Sequence, residues 1–296
     1  MDLDTFIVTM FCLIDDTLSD YLGHKRLRER GPFPRLADSE VLTIEIVGEY
    51  LGLSQDKAIF DYFRRHYAHF FPALALVHRT TFARQAANLW KLKEALWLRL
   101  VEQTYCDKSL AIVDSFPVHI CRFARAPRCK GFRGEAAYGK DHSIKQTFYG
   151  FRFHVRVCWP GVITRVIIAP AGLSDIAALE ELTAETEGYC LGDRNYWKPE
   201  LSKQLSQGGV EMLVPFKLAS RDPNREVSRW MSRLRYRIET VFSQVAERFH
   251  VKRVWARDMW HLSSRIMRKV LSHTAAIVLN RVSGNSPLRL ADLLTH

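Results

Sequence analysis

Several features that would place a chain outside the ordinary globular classes are missing from this sequence. No apolar run approaches the roughly 18 residues that a membrane-spanning helix requires, so we expect no membrane segment. The first residues include Asp2 and Asp4, whereas a secretory signal begins with basic residues, so we expect no such signal. The six cysteines form no C-x-x-C pair, and His119 with Cys121 is at most half of a zinc site. These absences favour a soluble, intracellular chain with free thiols.

The amino-acid composition is that of an ordinary globular protein, but charge is unevenly distributed along the chain. Of the 296 residues, 47% are hydrophobic and 25% are charged, as in a globular protein. Lys and Arg exceed Asp and Glu by 11, and the excess lies in two segments. Residues 122–145 hold seven basic residues against two acids, and residues 221–269 hold thirteen against five. A local excess of this kind indicates a surface for a polyanion, most often nucleic acid, although chance clustering is the alternative.

The hydrophobic pattern divides the chain near residue 106. Residues 1–105 carry apolar residues at helical spacing, and Gly52 separates a helix that starts near Asp38 from a second helix. This order suits a helix-turn-helix DNA-binding domain, but any small helical bundle has the same pattern. Residues 106–285 alternate between strands and helices, and residues 286–296 form a tail.

The order of elements in residues 106–285 predicts the fold class. It gives a short strand at 110–113, a hairpin pair at 148–169, and then helix, strand, helix, strand and a long helix from about Val227 to Phe249. We therefore predict an α/β fold, a mixed five-stranded sheet flanked by helices and preceded by an all-α domain.

Three carboxylates occupy positions where this fold places ligand chemistry. Asp114 and Asp193 each follow a short buried strand, and strand ends are where such sheets bind ligands. Glu239 lies at the margin of the apolar stripe of the long helix, one turn after Arg235. Singly, each acid has a structural explanation, such as a turn cap or an ion pair. If they converge, they would repel one another unless hard cations such as Mg²⁺ bridge them.

Sequence blocks around these acids resemble a known family. DSFPV, FYGFRFHV, GLSD, GDRNY and RYRIETVFSQ occur in order, and together they resemble the DDE transposases of bacterial insertion sequences, most nearly insertion-sequence family nine-eight-two. The resemblance implies an RNase H-like catalytic domain in which Asp114, Asp193 and Glu239 hold two Mg²⁺ or Mn²⁺ ions. It further implies cleavage at the element's terminal inverted repeats, strand transfer into target DNA, a homodimer in the synaptic complex, and a cytoplasmic, nucleoid-associated location in bacteria.

The same resemblance and the charge pattern suggest which residues bind DNA. Arg235 is the candidate phosphate clamp, because a guanidinium binds two oxygens at once, with a plain ion pair to Glu239 as the alternative. Trp197 and Tyr196 could stack on an unpaired base or belong to the core. Arg152 replaces a lysine frequent in related proteins and keeps its charge. The remaining candidates lie in the first basic segment: Arg122, Arg125, Arg128, Lys130 and Arg133.

Two other functions fit the same residues. A nuclease of this fold could cut DNA without strand transfer, and only the family resemblance favours transfer. A catalytically inactive regulator derived from a transposase would bind DNA alone, although the presence of all three acids favours an active enzyme. Metal-dependent nicking of DNA that carries the element ends separates these possibilities.

Overall fold

The computed structural model describes residues 1–23, 25–28, 30–141, 144–215 and 225–294. The helices are α1 (Leu3–Leu22), α2 (Asp38–Tyr50), α3 (Asp56–His66), α4 (Arg79–Asn88), α5 (Trp90–Gln103), α6 (Asp175–Thr183), α7 (Pro199–Gln207), α8 (Arg225–Ser243) and α9 (Met259–Val282). The strands are β1 (Asp107–Arg122), β2 (Ala137–Asp141), β3 (Gln146–Trp159), β4 (Val162–Pro170), β5 (Gly188–Leu191) and β6 (Val210–Leu213). Within these ranges, no helix has both the length and the apolar character needed to cross a membrane.

The described chain forms two compact units. One contains residues 1–104 together with residues 244–296, and the other contains residues 105–243. Helix α9 therefore belongs to the same unit as α1 to α5. A compact unit is defined by its contacts and a functional domain by what it binds or catalyses. The functional division into residues 1–105, 106–285 and 286–296 thus stays a prediction.

The unit that contains α1 to α5 and α9 has charged side chains in its interior. Arg268 of α9 is fully buried and donates hydrogen bonds to Glu45 and Glu49 of α2 at 3.0 and 2.7 Å. Lys269 forms an ion pair with Glu49 at 2.7 Å, and Lys93 of α5 pairs with Glu45 at 2.6 Å. Each of these buried charges faces an opposite charge, because a buried charge without a partner is very costly.

The unit of residues 105–243 is built on one six-stranded mixed sheet. β1, β3 and β4 pair antiparallel, whereas β5 lies parallel to β1 and β6 parallel to β5. β2 and β4 follow one another along the same edge of β3, opposite residues 146–150 and 151–158. The predicted α/β fold, a mixed sheet with helices and a helical N-terminal region, is confirmed. The order β4, β3, β1, β5, β6 agrees with the RNase H-like arrangement that the resemblance implies.

Two details of the sheet differ from the prediction. β2 is a sixth strand that hydrophobic alternation does not reveal, because Gly139, Lys140 and Asp141 interrupt it. The prediction that β1 ends at residue 113 is wrong, since β1 continues to Arg122 by pairing with β3. Asp114 therefore lies inside a strand, opposite Val155, and not after the strand's end. The long alternating sequence of β3 supplies the partner that extends β1.

Candidate active site

Asp114 in β1 and Asp193, two residues after the end of β5, stand at the same level of the sheet. The parallel ladder between β1 and β5 ends where Ile112 pairs with Leu191, and each aspartate lies two residues beyond that pair. Asp193 keeps an extended backbone. Side chains alternate between the two faces of a strand, so residues 114 and 193 lie on the same face of the sheet as the last pair, Ile112 and Leu191. The end of this ladder, and not the end of β1, is thus the feature that brings the two predicted catalytic aspartates together.

Gly192 determines how the chain leaves β5 before Asp193. A Cβ at this position would lie 2.4 Å from Cε of Met212 and 3.1 Å from Cδ2 of Tyr196, so a larger residue would require the Met212 side chain to move. Asp193 then caps the short helix Arg194–Tyr196, and its Oδ1 accepts a hydrogen bond from the Arg194 backbone N–H at 2.6 Å. The local sequence therefore fixes the Asp193 carboxylate next to the strand end.

The electrostatic environment of Asp114 opposes its negative charge. Burial raises the pKa of Asp114 to about 6, and the negative charges of Asp175 and Asp193 act in the same direction. The backbone N–H of Ser115 donates a hydrogen bond to Oδ1 at 2.8 Å, and this bond and the positive charge of Arg235 act in the opposite direction. A cation next to Asp114 would offset both the burial and the repulsion between carboxylates.

Asp175 is a site residue that the sequence analysis does not single out. Its Oδ1 accepts a hydrogen bond from Oγ of Ser115 at 2.6 Å and lies 3.8 Å from Nη1 of Arg152. The same Nη1 donates to Oγ of Ser115 at 3.2 Å. Asp175 is the first residue of α6, where an acid is the ordinary complement of a helix N-terminus. The sequence therefore gave no signal that separates Asp175 from a structural acid.

Two buried side chains border this carboxylate cluster. His154 is fully buried, with its Nδ1 3.6 Å from Oδ1 of Asp175. Burial lowers the pKa of His154 to about 4, so the ring is neutral at pH 7 and does not offset the charge of Asp175. Tyr196 is 1% exposed, and burial raises the pKa of its hydroxyl, with Asp175 and Asp114 acting in the same direction. Of the alternatives for Tyr196, the core position is the one observed.

Glu239 lies on α8 between Arg235 and Phe242, two residues that interact with β1. Arg235, Glu239 and Phe242 follow one another at spacings of four and three residues, which places them on one stripe of the helix. At one end of the stripe, Phe242 packs against Phe116 of β1 with ring centroids 5.1 Å apart. At the other end, the charge of Arg235 acts on Asp114. Glu239, between them, is exposed.

The donor atoms fit a hard metal ion, but they are only partly assembled. Over the residues that the structure describes, no three His, Cys, Asp or Glu side chains are close enough to hold one metal ion. Asp114 and Asp193 lie side by side and offer carboxylate oxygens, which Mg²⁺ and Mn²⁺ prefer. Glu239 lies between Arg235 and Phe242 on α8 but does not complete a three-ligand group with the two aspartates. The two aspartates therefore fit the implied metal, and Glu239 lies on α8, which packs against β1 through Phe242.

The first basic segment is a surface of exposed cations. It follows β1 and contains the short helix Phe123–Arg128, which is anchored by buried Ala126, and buried Phe132 comes after that helix. The five candidate DNA-binding residues on it are all exposed: Arg122, Arg125, Arg128, Lys130 and Arg133.

The other candidate DNA-binding residues have mixed positions. Trp197 is 48% exposed and remains available for stacking, whereas Arg152 is half-buried within the Asp175 cluster. In the second basic segment, Arg221 lies outside the described residues. Arg268 and Lys269 belong to the buried ion pairs of the helical unit, so they do not add to an exposed patch.

Carboxylates at the end of a parallel ladder, in a unit that also carries an exposed basic segment, define a class of site suited to phosphoryl transfer on nucleic acid. Comparison with protein families matches residues 104–258 to the transposase DDE domain. Because this match spans more than half of the sequence, the chain belongs to that family, and DNA is the substrate that the family implies. No curated protein and no solved structure matches the chain.

Proposed function

We propose that this protein is the transposase of a bacterial insertion sequence of the nine-eight-two type, acting on the nucleoid in the cytoplasm. It cleaves DNA at the terminal inverted repeats of its element and joins the freed 3′-hydroxyl to target DNA. The observation that carries the proposal is the pair Asp114 and Asp193, which stand side by side two residues beyond the last β1–β5 pair. We take this pair to be the catalytic centre, since the chain carries a transposase DDE domain.

Asp114, Asp193 and Glu239 are the residues that would hold two Mg²⁺ or Mn²⁺ ions. Ions bound in this way supply Lewis acidity towards the attacking and leaving oxygens of phosphoryl transfer. Glu239 joins the aspartates if α8, which already contacts β1 through Phe242 and Phe116, turns the Glu239 side chain towards Asp114. DNA binding would favour this movement, because the phosphate attracts both Arg235 on α8 and the metal ions at the aspartates.

Arg235 binds a phosphate oxygen next to the scissile bond in this proposal. Its charge already acts on Asp114, and the ion pairs of the described residues within 4.0 Å include none between Arg235 and Glu239. A guanidinium that is not engaged by Glu239 keeps its fork for a phosphate. The exposed cations at residues 122–133 of the first basic segment extend the DNA path away from this point.

Recognition of the element ends is assigned to the helical unit. α2 is buried along most of its length, whereas α3, which follows it after a short turn, exposes Lys57, Arg64 and Arg65. In a helix-turn-helix interpretation, α3 therefore enters the major groove. Two ends must be brought together for transposition, so the active complex is proposed to contain a homodimer.

Strand cleavage by matched variants tests the proposal. DNA bearing the native flanking repeats is incubated with Mg²⁺ and the full chain, and every cut and every joined product is mapped. Asp114→Asn, Asp193→Asn and Glu239→Gln are expected to abolish cleavage and to leave DNA binding nearly unchanged, since each removes a ligand charge at constant shape. Glu226→Gln, which neutralises another exposed acid of α8, is the control and should cleave normally.

The products separate the proposed transposase from its alternatives. Cleavage together with joined products supports the proposal. Cleavage without any joined product would indicate a nuclease, and DNA binding without cleavage would indicate a regulator. A variant that keeps near-parental cleavage would remove its residue from the catalytic triad.

A further inference from the structure

Two thiols meet where β1 begins and β3 ends. Asp107, the first residue of β1, pairs with Trp159, the last residue of β3. Cys106 and Cys158 immediately precede these two residues in the sequence. The two thiols are hydrogen-bonded to each other, and Cys106 packs against the hydrophobic cluster that contains Cys158. A disulfide requires two cysteines at close range, and this end of the sheet supplies such a pair.

The surroundings of Cys158 favour the thiolate form of its side chain. Its Sγ lies 3.2 Å from Oγ1 of Thr164. The same hydroxyl oxygen accepts a hydrogen bond from Nε of Arg156 at 2.9 Å, so its own proton can point to the sulfur. Hydrogen bonds from Cys106 and Thr164, with the positive charge of Arg156, hold the pKa of the Cys158 thiol at about 7, although burial acts in the opposite direction. The thiolate is the nucleophile in thiol chemistry.

The two thiols differ in their access to small molecules. Cys158 is fully buried, whereas Cys106 is half-buried. A small oxidant therefore reaches Cys106 first, and Cys158 is the neighbouring thiol within the core. Redox-sensing sites combine an accessible cysteine with a second cysteine that resolves the oxidised form of the first, and these two residues have that division of access.

The other cysteines of the same unit offer less favourable chemistry. Cys190 belongs to the same hydrophobic cluster, but burial raises the pKa of its thiol to about 12, so it stays protonated at neutral pH. Cys121 and Cys129 form a second pair of neighbouring thiols, yet burial raises the pKa of the Cys121 thiol, and Cys129 acts in the same direction. Cys106 and Cys158 are therefore the pair in which a thiolate is stabilised.

We propose that Cys106 and Cys158 form a reversible disulfide when the protein meets a small organic disulfide. The Cys106 thiolate attacks one sulfur of the small disulfide, breaks its S–S bond and releases one small thiolate. The Cys158 thiolate then attacks the Cys106 sulfur of this mixed disulfide and releases the second small thiolate. The two protons of the protein thiols pass to the released thiolates, so one protein disulfide forms for each small disulfide that is reduced. This chemistry needs no DNA and is independent of the proposed function.

The new bond would constrain the sheet that carries Asp114. It closes the chain from residue 106 to residue 158 into a loop that includes β1, β2 and nearly all of β3. A cross-link over a loop of this length restricts the unfolded chain and thereby stabilises the folded one. A reducing thiol pool keeps such cysteines reduced, so the bond forms when that pool becomes oxidised.

Thiol mapping of the full chain tests this inference. The reduced protein is incubated with mixtures of oxidised and reduced glutathione, free thiols are alkylated, and an unreduced proteolytic digest is analysed by mass spectrometry. The expected product is a cross-linked peptide pair that contains Cys106 and Cys158, formed without a retained glutathione and fully reversed by dithiothreitol. In urea, the oxidised parent should unfold at a higher midpoint than the reduced parent.

Three variants connect this chemistry to the two residues. Cys158→Ala should stop at the mixed disulfide of Cys106 with glutathione, because the resolving thiol is missing. Cys106→Ser, at the half-buried position, should leave Cys158 unmodified and should show the same urea midpoint with and without oxidised glutathione. Cys190→Ala is the matched control, since it removes a buried thiol from the same cluster and should still give the parental cross-link. Circular dichroism checks that each variant is folded.

The outcomes decide this inference separately from the proposed function. A cross-link between Cys121 and Cys129 in its place, or glutathione adducts without any cross-link, would overturn it, as would equal urea midpoints for the oxidised and reduced parent. Equal yields of the cross-link in native buffer and in concentrated urea would also overturn it, because the pairing would then not depend on the folded structure. A parent that forms the expected cross-link but cuts no DNA would contradict the proposed function and leave the disulfide standing.

Discussion

The hydroxyl of Ser115 donates a 2.6 Å hydrogen bond to Oδ1 of Asp175 and so joins the strand that carries Asp114 to the first turn of α6. Asp175 also faces Arg152 and contributes to the raised pKa of Asp114. Asp175 therefore positions Ser115 and Arg152 and raises the pKa of Asp114, although it is not one of the three acids predicted from the sequence.

Replacing Asp175 with asparagine should alter both the rate and its pH dependence. Asp175→Asn keeps an acceptor for Ser115 but removes a negative charge, so the pKa of Asp114 should fall and the acid limb of the pH–rate profile should move to lower pH. Cleavage at pH 7 should slow by on the order of 10–100-fold, because Arg152 loses its ionic partner. Glu180→Gln, at an exposed acid of the same helix, is the control. A parental rate with an unmoved acid limb would contradict this role.

The sequence predicted the sheet better than it predicted the site's surroundings. Strand alternation in β3 and β4 and the apolar stripe of α8 are local patterns, so the fold class followed from them. The level at which Asp114 meets Asp193 depends on the register of the β1–β5 ladder, which no local pattern encodes. Asp175 reaches Ser115 only through tertiary packing, and the same holds for the ion pairs of Arg268.

The raised pKa of Asp114 has a consequence for stability. An aspartate whose folded-state pKa lies above its unfolded value contributes stability that is present below pH 4 and is lost as the pH rises through about 6. At pH 8 without metal, Asp114→Asn should therefore unfold with a free energy about 1–3 kcal/mol larger than the parent, allowing for partial exposure. At pH 4 the two proteins should be nearly equal. Denaturant titrations at both pH values measure this difference.

Magnesium provides an independent check on the same residue. Mg²⁺ at pH 8 should raise the melting temperature of the parent, because a bound cation offsets the buried charge of Asp114, and should leave that of Asp114→Asn unchanged. Asp61→Asn, at an exposed position of α3, should respond to Mg²⁺ as the parent does. An equal response of parent and Asp114→Asn would place the bound ion elsewhere.

The buried ion pairs of the helical unit predict a large loss of stability when one member is removed. Arg268→Met retains a long side chain but leaves Glu45 and Glu49 buried without their common partner. The expected decrease in the free energy of unfolding is about 3–5 kcal/mol, measured by denaturant titration. Arg289→Ala, at a side chain that is 75% exposed, should cost less than about 1 kcal/mol. Equal small effects would mean that Lys93 and Lys269 suffice to balance both glutamates.

Arg235 distinguishes a phosphate ligand from an ordinary helix charge. A plain partner of Glu239 four residues away would contribute only about 0.3–0.5 kcal/mol, and lysine would replace it almost freely. A residue that binds phosphate through both nitrogens of its fork tolerates lysine poorly, because an ammonium lacks the planar geometry. We expect Arg235→Lys to melt within a few degrees of the parent and to cleave on the order of 10²-fold more slowly at saturating Mg²⁺.

The control for Arg235 comes from the same helix. Arg233 is exposed two residues earlier, so it faces away from the stripe of Arg235, Glu239 and Phe242. Arg233→Lys should therefore cleave at the parental rate, which shows that an exposed arginine of α8 can become lysine without loss of activity. Strand-cleavage rates and thermal melts of the parent and both variants decide the question. Near-parental cleavage by Arg235→Lys would return this residue to the role of a helix charge, and the phosphate contact would then have to come from Arg152 or the basic segment of residues 122–133.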